Sequence, residues 1–242
     1  MPVYCITGTN RGLGLEFVKQ LAQSSTNTII ATTHPRATDL ADLHAVASPS
    51  THILTCDVSS IPSIQSFIQE ATHALNGGHL QKIDFLLNNA GVNLAPQQTS
   101  LSLGPDELHA QFAVNVLGPA KLVELLLAAG LLSPSVRILN MSSSLGSMQF
   151  SSSLRPRWCA GYAISKAALN MLTVHQSEDV RRELPGAVVV AMAPGLCKTR
   201  MGGEEAVLEP RESVGGMLRV LGGLGSEDTG LFYQWTGEKV PW

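Results

Sequence analysis

The chain is short of charge, cysteine pairs and long apolar runs, and each shortage narrows the classes of function open to it. Asp, Glu, Lys and Arg make up only 14% of the 242 residues, against roughly 25% in an ordinary soluble protein. More of the surface than usual is therefore expected to be neutral or apolar, as suits an oily substrate or an interface between copies. The net charge of −3 and the scattered arginines form no basic stripe, which argues against nucleic acid as a partner. Cys5, Cys56, Cys159 and Cys197 lie far apart without a Cys-x-x-Cys pair, so incidental thiols are expected rather than disulfides or zinc. The seven histidines show no metal-ligand spacing, and no metal is expected. Gly-x-Ser-x-Gly and His-Glu-x-x-His are absent, which disfavours serine and zinc hydrolases. The longest apolar candidate, Leu122 to Leu132, is shorter than the ~20 residues of a membrane span and carries Glu124. No membrane partner is expected. The start of the chain enters Val3-Tyr4-Cys5-Ile6 without a basic flank and cleavage site, so a cytoplasmic location is expected.

What is present is alternation. Val3 to Thr7, Thr28 to Thr32, His52 to Thr55, Ile83 to Leu87, Val136 to Met141 and Ala187 to Ala191 read as strands with helix-sized spacers between them. Several are apolar throughout, as strands covered on both faces are. The pattern predicts an α/β, doubly wound Rossmann fold in a single domain over 1–242, its mostly parallel sheet holding about seven strands. Ser60 and Pro62 predict a helix start, and Gly77-Gly78 its end. The serine-rich stretch Ser142 to Ser153 reads as a loop.

Directly after the first strand stands Thr7-Gly8-Thr9-Asn10-Arg11-Gly12-Leu13-Gly14, followed by residues at helical spacing. Glycines permit a tight turn and close backbone approach, and free amides at a helix start favour a pyrophosphate. A P-loop needs Gly-Lys-Ser/Thr, which is absent. Farther on, Tyr162 and Lys166 stand four apart in a helix-forming stretch, so one turn places phenol and ammonium on the same face. A nearby cation favours the phenolate and is expected to lower the phenol pKa.

Taken in order, Gly-x-x-x-Gly-x-Gly, Asn88-Asn89-Ala90-Gly91, Asn115, Ser143, Tyr162 and Lys166 resemble the short-chain dehydrogenase/reductase family over nearly the whole chain. Asn140-Met141-Ser142-Ser143, Pro194-Gly195 with Lys198-Thr199, and the terminal Gly237 to Trp242 are similar to its sniffer or C-factor-like carbonyl reductase branch. The resemblance implies an NADP-dependent oxidoreductase acting on CH–OH or C=O groups of a small, apolar ketone, aldehyde or secondary alcohol. By it, Tyr162 gives the proton, Ser143 holds the reacting oxygen, Lys166 tunes the phenol and bonds the nicotinamide ribose, and Asn115 organises a water relay to the lysine. It assigns the cofactor to Gly8, Asn10, Arg11, Gly12, Leu13 and Gly14, to Asp57 and Val58 at the adenine, and to Asn89, Ala90 and Gly91. Pro194, Gly195 and Thr199 would line the nicotinamide.

Thr32-Thr33-His34-Pro35-Arg36 offers no acid for ribose hydroxyls, while His34, Arg36 and Arg11 suit the extra phosphate of NADPH. Sniffer-like chains usually carry arginine at the position of His34. The span from Ser143 to Tyr162, 162 − 143 = 19 positions, is longer than is common in the wider family. Its extra residues, Phe150, Arg155, Arg157 and Trp158 among them, either shape a substrate pocket or form a permissive loop. A glycine-hinged substrate lid is expected around 200–222. Helices around Leu108 to Leu132 and Ala163 to Glu183 form homodimer or homotetramer contacts in many relatives, though some carbonyl reductases are monomers. Alternatives are imine reduction or a non-redox step in the same pocket, and a non-turnover dinucleotide-binding signalling protein.

Overall fold

The computed structural model describes residues 1–76 and 81–242; the expected helix end at Gly77-Gly78 lies outside the described residues. Seven strands form one sheet: β1 (Val3–Ile6), β2 (Thr28–Thr33), β3 (Thr51–Thr55), β4 (Ile83–Asn88), β5 (Leu132–Met141), β6 (Val188–Ala193) and β7 (Phe232–Gln234). Their order is β3-β2-β1-β4-β5-β6-β7 and every pairing is parallel. Order reverses between β1 and β4, the point where a doubly wound sheet opens a crevice at its C-terminal edge.

The eight α-helices among the described residues are α1 (Gly12–Leu21), α2 (Ala41–Val46), α3 (Ile61–Leu75), α4 (Pro105–Phe112), α5 (Gly118–Ala128), α6 (Met148–Ser153), α7 (Ala160–Glu183) and α8 (Pro210–Gly223). Two hydrophobic clusters lie on the two faces of the sheet. Phe67, Ile64, Leu122 and Leu126 pack with Cys5, Leu86 and Ile138, whereas Phe17, Val18, Met217 and Leu221 pack with Ile6, Leu87 and Val190. Alternate residues of one strand thus enter opposite clusters, which is the period-2 geometry of a sheet covered on both sides.

Local sequence explains several boundaries. Ser60 accepts a hydrogen bond from the Ser63 N–H at 3.4 Å and Pro62 sits in the first turn of α3, as expected. β5 begins four residues before the sequence pattern suggests; the break is Pro134-Ser135, where the register with β4 shifts and both residues face solvent. β7 escapes the pattern altogether, being three residues long at the sheet edge.

The serine-rich stretch is not a bare loop. It forms a 3₁₀ turn over Ser144–Gly146 and then α6, whose first turn is capped by Ser147 accepting from the Phe150 N–H at 3.0 Å. The guanidinium of Arg157 donates to the Ser151 carbonyl at 3.0 Å and the Ser152 carbonyl at 2.6 Å, and that of Arg155 donates to Ser152 at 2.9 Å. Both arginines therefore satisfy the carbonyls that the helix end leaves free.

The stretch expected to be a lid divides. Residues 200–209 form a connection fastened by the Lys198–Glu209 ion pair at 2.5 Å and by the Lys198 N–H on the Leu208 carbonyl at 2.9 Å. The remainder is α8, whose Val214, Met217 and Leu221 are buried in the core beside α1, so α8 is a core helix. By length and composition alone, the continuous helical run Pro105–Ala128 could cross a membrane, at a mean hydropathy of 1.3. It packs on α3 and α7 and carries the buried polar side chains of Gln111 and Asn115. The four cysteines are all free thiols.

Candidate active site

Most of the expected site residues follow the C-terminal end of a strand: the glycine loop after β1, His34 and Arg36 after β2, Asp57 and Val58 after β3, Asn89 to Gly91 after β4, Ser143 after β5, and Pro194 to Thr199 after β6. One edge of the sheet thus gathers these, while Asn115, Tyr162 and Lys166 are supplied by helical segments.

The glycine loop is built for backbone approach. Gly8 and Gly12 have φ of 71° and 57°, values that glycine adopts without strain. A side chain on Gly8 would fall 3.1 Å from the Ala90 Cα, and one on Gly14 would meet the Gly8 carbonyl and the Asn89 amide. Asn89 donates to the Thr7 carbonyl at 2.7 Å and the Gly8 carbonyl at 3.1 Å, while the Thr7 hydroxyl accepts from the Ala90 N–H at 2.9 Å. Thr9 ties the loop to Thr32. Helix α1 then begins with no acidic residue in its first turn and no side-chain cap, leaving amides for an anion. The loop and helix start fit a dinucleotide pyrophosphate.

At the other end, Asp57 accepts from the Ser59 N–H at 2.9 Å and the Ser59 hydroxyl at 2.6 Å, and its carboxylate stands 3.5 Å from His34 Nε2. Partial burial would raise its pKa, but the Ser59 hydrogen bonds and then His34 hold it below the ordinary aspartate value. His34 is therefore a partner of the expected adenine-binding carboxylate. Arg11 and Arg36 are exposed, and no side-chain hydrogen bond or ion pair engages their guanidinium groups among the described residues. Val58 is seated against Gly118, where an added Cβ would lie 3.0 Å from its carbonyl.

Asn115 lies in a π-helical turn, Ala113–Leu117, between α4 and α5, the kind of irregularity that often accompanies function. Its amide nitrogen donates to the Val92 carbonyl and the Ser165 hydroxyl, both at 2.9 Å, and its oxygen accepts from the Val92 N–H at 2.9 Å. The Cβ that Gly91 lacks would sit 3.3 Å from the Asn115 oxygen and 3.5 Å from Lys166 Nζ. Asn115, Gly91 and Lys166 thus share one small space.

Tyr162 and Lys166 occupy the first two turns of α7, with the amine 5.6 Å from the centre of the phenol ring. Ser143 lies close enough to Tyr162 for its hydroxyl to favour the ionised phenol. The Ser143 oxygen accepts from the Leu145 N–H at 3.2 Å, so its proton remains available for another acceptor. The expected lowering of the phenol pKa is not met among the protein's own groups. Desolvation outweighs the Ser143 contact and lifts Tyr162 to about 12. Burial likewise lowers Lys166 to about 7, and a weakly charged amine makes a poor electrostatic neighbour. Lys166 Nζ donates to the Met141 carbonyl at 2.6 Å, its one hydrogen bond among the described residues, and has further donors for ribose hydroxyls.

Pro194 and Gly195 follow β6, the Pro194 carbonyl held by the Ser213 hydroxyl at 2.6 Å and Gly195 in a left-handed conformation at φ 79° against Leu208 and Trp235. The Thr199 side chain stands 3.6 Å from where a Cβ on Gly12 would be, so it meets the glycine loop across the crevice.

A family model described as short chain dehydrogenase matches residues 2–207. The chain belongs to this family. In sequence it is 36% identical over 163 residues to C-signal of Myxococcus xanthus, an alignment covering 66% of this chain and 93% of that protein. In structure it is similar to the NADPH-bound carbonyl reductase from chicken fatty liver, at 33% identity and a TM-score of 0.87 with all of both chains covered. It is also similar to the carbonyl reductase Sniffer of D. melanogaster, at 28% identity and a TM-score of 0.86, again over all of both chains. The chain is thus a short chain dehydrogenase with a sniffer-like fold, and the family makes it an oxidoreductase.

Three contributors to this site of the dehydrogenase were not read from the sequence. Ser165 bonds Asn115 and donates to the Tyr162 carbonyl at 2.7 Å; its place between Tyr162 and Lys166 is the signal that could have found it. Thr7 braces Ala90, and its signal is a polar residue at the end of an apolar strand. The Met141 carbonyl is backbone and leaves no trace in side-chain pattern.

Proposed function

We propose that this protein is an NADPH-dependent reductase or dehydrogenase of a small, apolar ketone, aldehyde or secondary alcohol. The observation that carries the reading is the meeting of Ser143, Tyr162 and Lys166 beside the glycine-lined crevice. Bound NADPH supplies the hydride. Negative charge then develops on the carbonyl oxygen and requires a proton and a hydrogen-bond donor there. A phenol whose pKa is raised to about 12 remains protonated at neutral pH, so Tyr162 gives the proton in reduction while Ser143 donates to the same oxygen. Lys166 holds the nicotinamide ribose with its remaining donors, and Asn115 positions water beside the amine. Gly8, Asn10, Arg11, Gly12, Leu13 and Gly14 receive the pyrophosphate, and Asn89, Ala90 and Gly91 line its path. Asp57 and Val58 take the adenine, Thr199 the carboxamide, with Pro194 and Gly195 behind the ring.

NADPH is preferred over NADH in this reading because no acid follows β2, where His34 and Arg36 stand exposed, and because a similar carbonyl reductase is NADPH-bound. The exposed Phe150, Trp158 and Met201 supply apolar walls for the substrate. The protein acts in the cytoplasm as a single domain, with residues 200–209 as the cover over the substrate.

Similarity to C-signal favours one second reading, a dinucleotide-binding signalling protein without turnover. NADPH oxidation against a panel of aldehydes, ketones and quinones separates the two. Consumption by the wild type, abolished in Tyr162→Phe, supports the reductase; NADPH binding without consumption across the panel overturns it.

A further inference from the structure

The segment that carries Ser143 is fastened at both ends by one side chain. Asn170, one turn beyond Lys166 on α7 and buried to 3% exposure, accepts a hydrogen bond from the Ser142 hydroxyl at 2.5 Å and donates to the Gly146 carbonyl at 3.1 Å. Between those two ties lie Ser143 and the 3₁₀ turn Ser144–Gly146. The turn rests on α7 so closely that a Cβ on Gly146 would fall 2.8 to 3.0 Å from the backbone and Cβ of Lys166. Strand β5 delivers Ser143 to the crevice, and α7 delivers Tyr162 and Lys166. The register between these two elements is set by their hydrogen bonds and packing, and Asn170 is the side chain that bonds to both flanks of the serine.

We infer that Asn170 is a positioning residue, which holds the Ser143 hydroxyl in register with the Tyr162 phenol so that both reach one substrate oxygen. The inference rests on the reductase reading above. Both hydrogen-bonding groups of the Asn170 amide are used, and the geometry demands an amide: the oxygen faces a hydroxyl donor and the nitrogen faces a carbonyl acceptor. A carboxylate would keep the first tie and set a negative charge against the Gly146 oxygen. An alanine would release both ties and leave the Gly146 carbonyl and the Ser142 hydroxyl without this partner in the interior. In either case the Ser143 oxygen gains freedom relative to Tyr162, and a displacement of about 1 Å at a reacting centre costs on the order of a hundredfold in rate.

The test is a double-mutant cycle between Asn170→Ala and Ser143→Ala, measured with the best substrate from the carbonyl panel. Circular dichroism and the NADPH dissociation constant monitor the fold and the cofactor site. The expected result is a roughly ten- to hundredfold fall in kcat for Asn170→Ala with NADPH affinity unchanged, and little further loss when the same change is made in Ser143→Ala, because the residue acts through that serine. Asn170→Asp is expected to retain part of the activity and Ser142→Ala to lose less than Asn170→Ala. Equal losses from Asn170→Ala with and without Ser143 would overturn the inference, since the residue would then act by another route. So would an unchanged kcat. If Asn170→Ala fails to fold, the cycle is run with Asn170→Asp and the same criteria apply. Full activity in Ser143→Ala would instead bring down the reductase chemistry and the inference together, which separates that failure from a failure of Asn170 alone.

Discussion

The Lys166 amine stands 5.6 Å from the centre of the Tyr162 ring but gives its hydrogen bond to the Met141 carbonyl, 2.6 Å away. Helical spacing brings the two side chains to one face, and burial then weakens the charge that was meant to couple them. The phenol accordingly sits at about 12, a protonated acid at neutral pH. In the proposed chemistry, that acid is the group whose removal costs most.

Tyr162→Phe is expected to lower kcat by about 10²- to 10⁴-fold, the usual worth of a positioned general acid. NADPH affinity should change little, because the variant keeps the ring. Steady-state kinetics together with a fluorescence titration of NADPH check both halves.

Lys166 makes stability depend on pH with a definite sign. Its folded value of about 7 lies below the ordinary 10.5, so the folded protein sheds a proton that the unfolded chain keeps between those values, and stability rises with pH across that window. Below about 7 both states are protonated and the cost of burying the charge is complete. Lys166→Met in the nucleotide-free protein should therefore raise the melting temperature more near pH 6 than near pH 9, although it abolishes turnover. Differential scanning calorimetry across that range provides the measurement; a gain that grows with pH would contradict the assignment.

Gly14→Ala tests the packing of the glycine loop. The added methyl would meet the Gly8 carbonyl and the Asn89 amide, both of which are tied into the loop. Overpacking of this kind costs about 1–3 kcal/mol, so the melting temperature should fall by several degrees. Cofactor binding should weaken as well, because Asn89 must shift. Thermal melts with and without NADPH distinguish the two effects.

Arg36→Ala should reduce affinity for NADPH by about tenfold or more, as expected of a charge-assisted contact worth ~1.5–3 kcal/mol, and leave NADH affinity nearly unchanged. Titration of both nucleotides with wild type and variant measures the ratio. A loss shared equally by NADH would show that Arg36 does not read the extra phosphate.

Local pattern made most of the architecture legible. Apolar runs such as Ala187 to Ala191 announced a strand because a run buried on both faces has no polar positions to hide it, and the Gly8-Gly12-Gly14 turn announced itself because backbone that must come close tolerates little else. Ser60 and Pro62 marked a helix start by chemistry confined to one turn. β7 was silent, since three residues at an edge make no period. The cap role of Arg155 and Arg157 was silent too, because it depends on where the chain doubles back onto the carbonyls of α6.

By itself the sequence determined which groups could do chemistry and in what order they occur, because glycine freedom, helical spacing and strand periodicity are properties of neighbours along the chain. Tertiary structure alone decided that His34 faces Asp57, that Lys166 bonds a backbone carbonyl, and that α8 belongs to the core. Those outcomes turn on desolvation and on contacts between residues far apart in the chain, such as the 25 positions separating Met141 from Lys166. Burial and partner are fixed only when the strands and helices have packed.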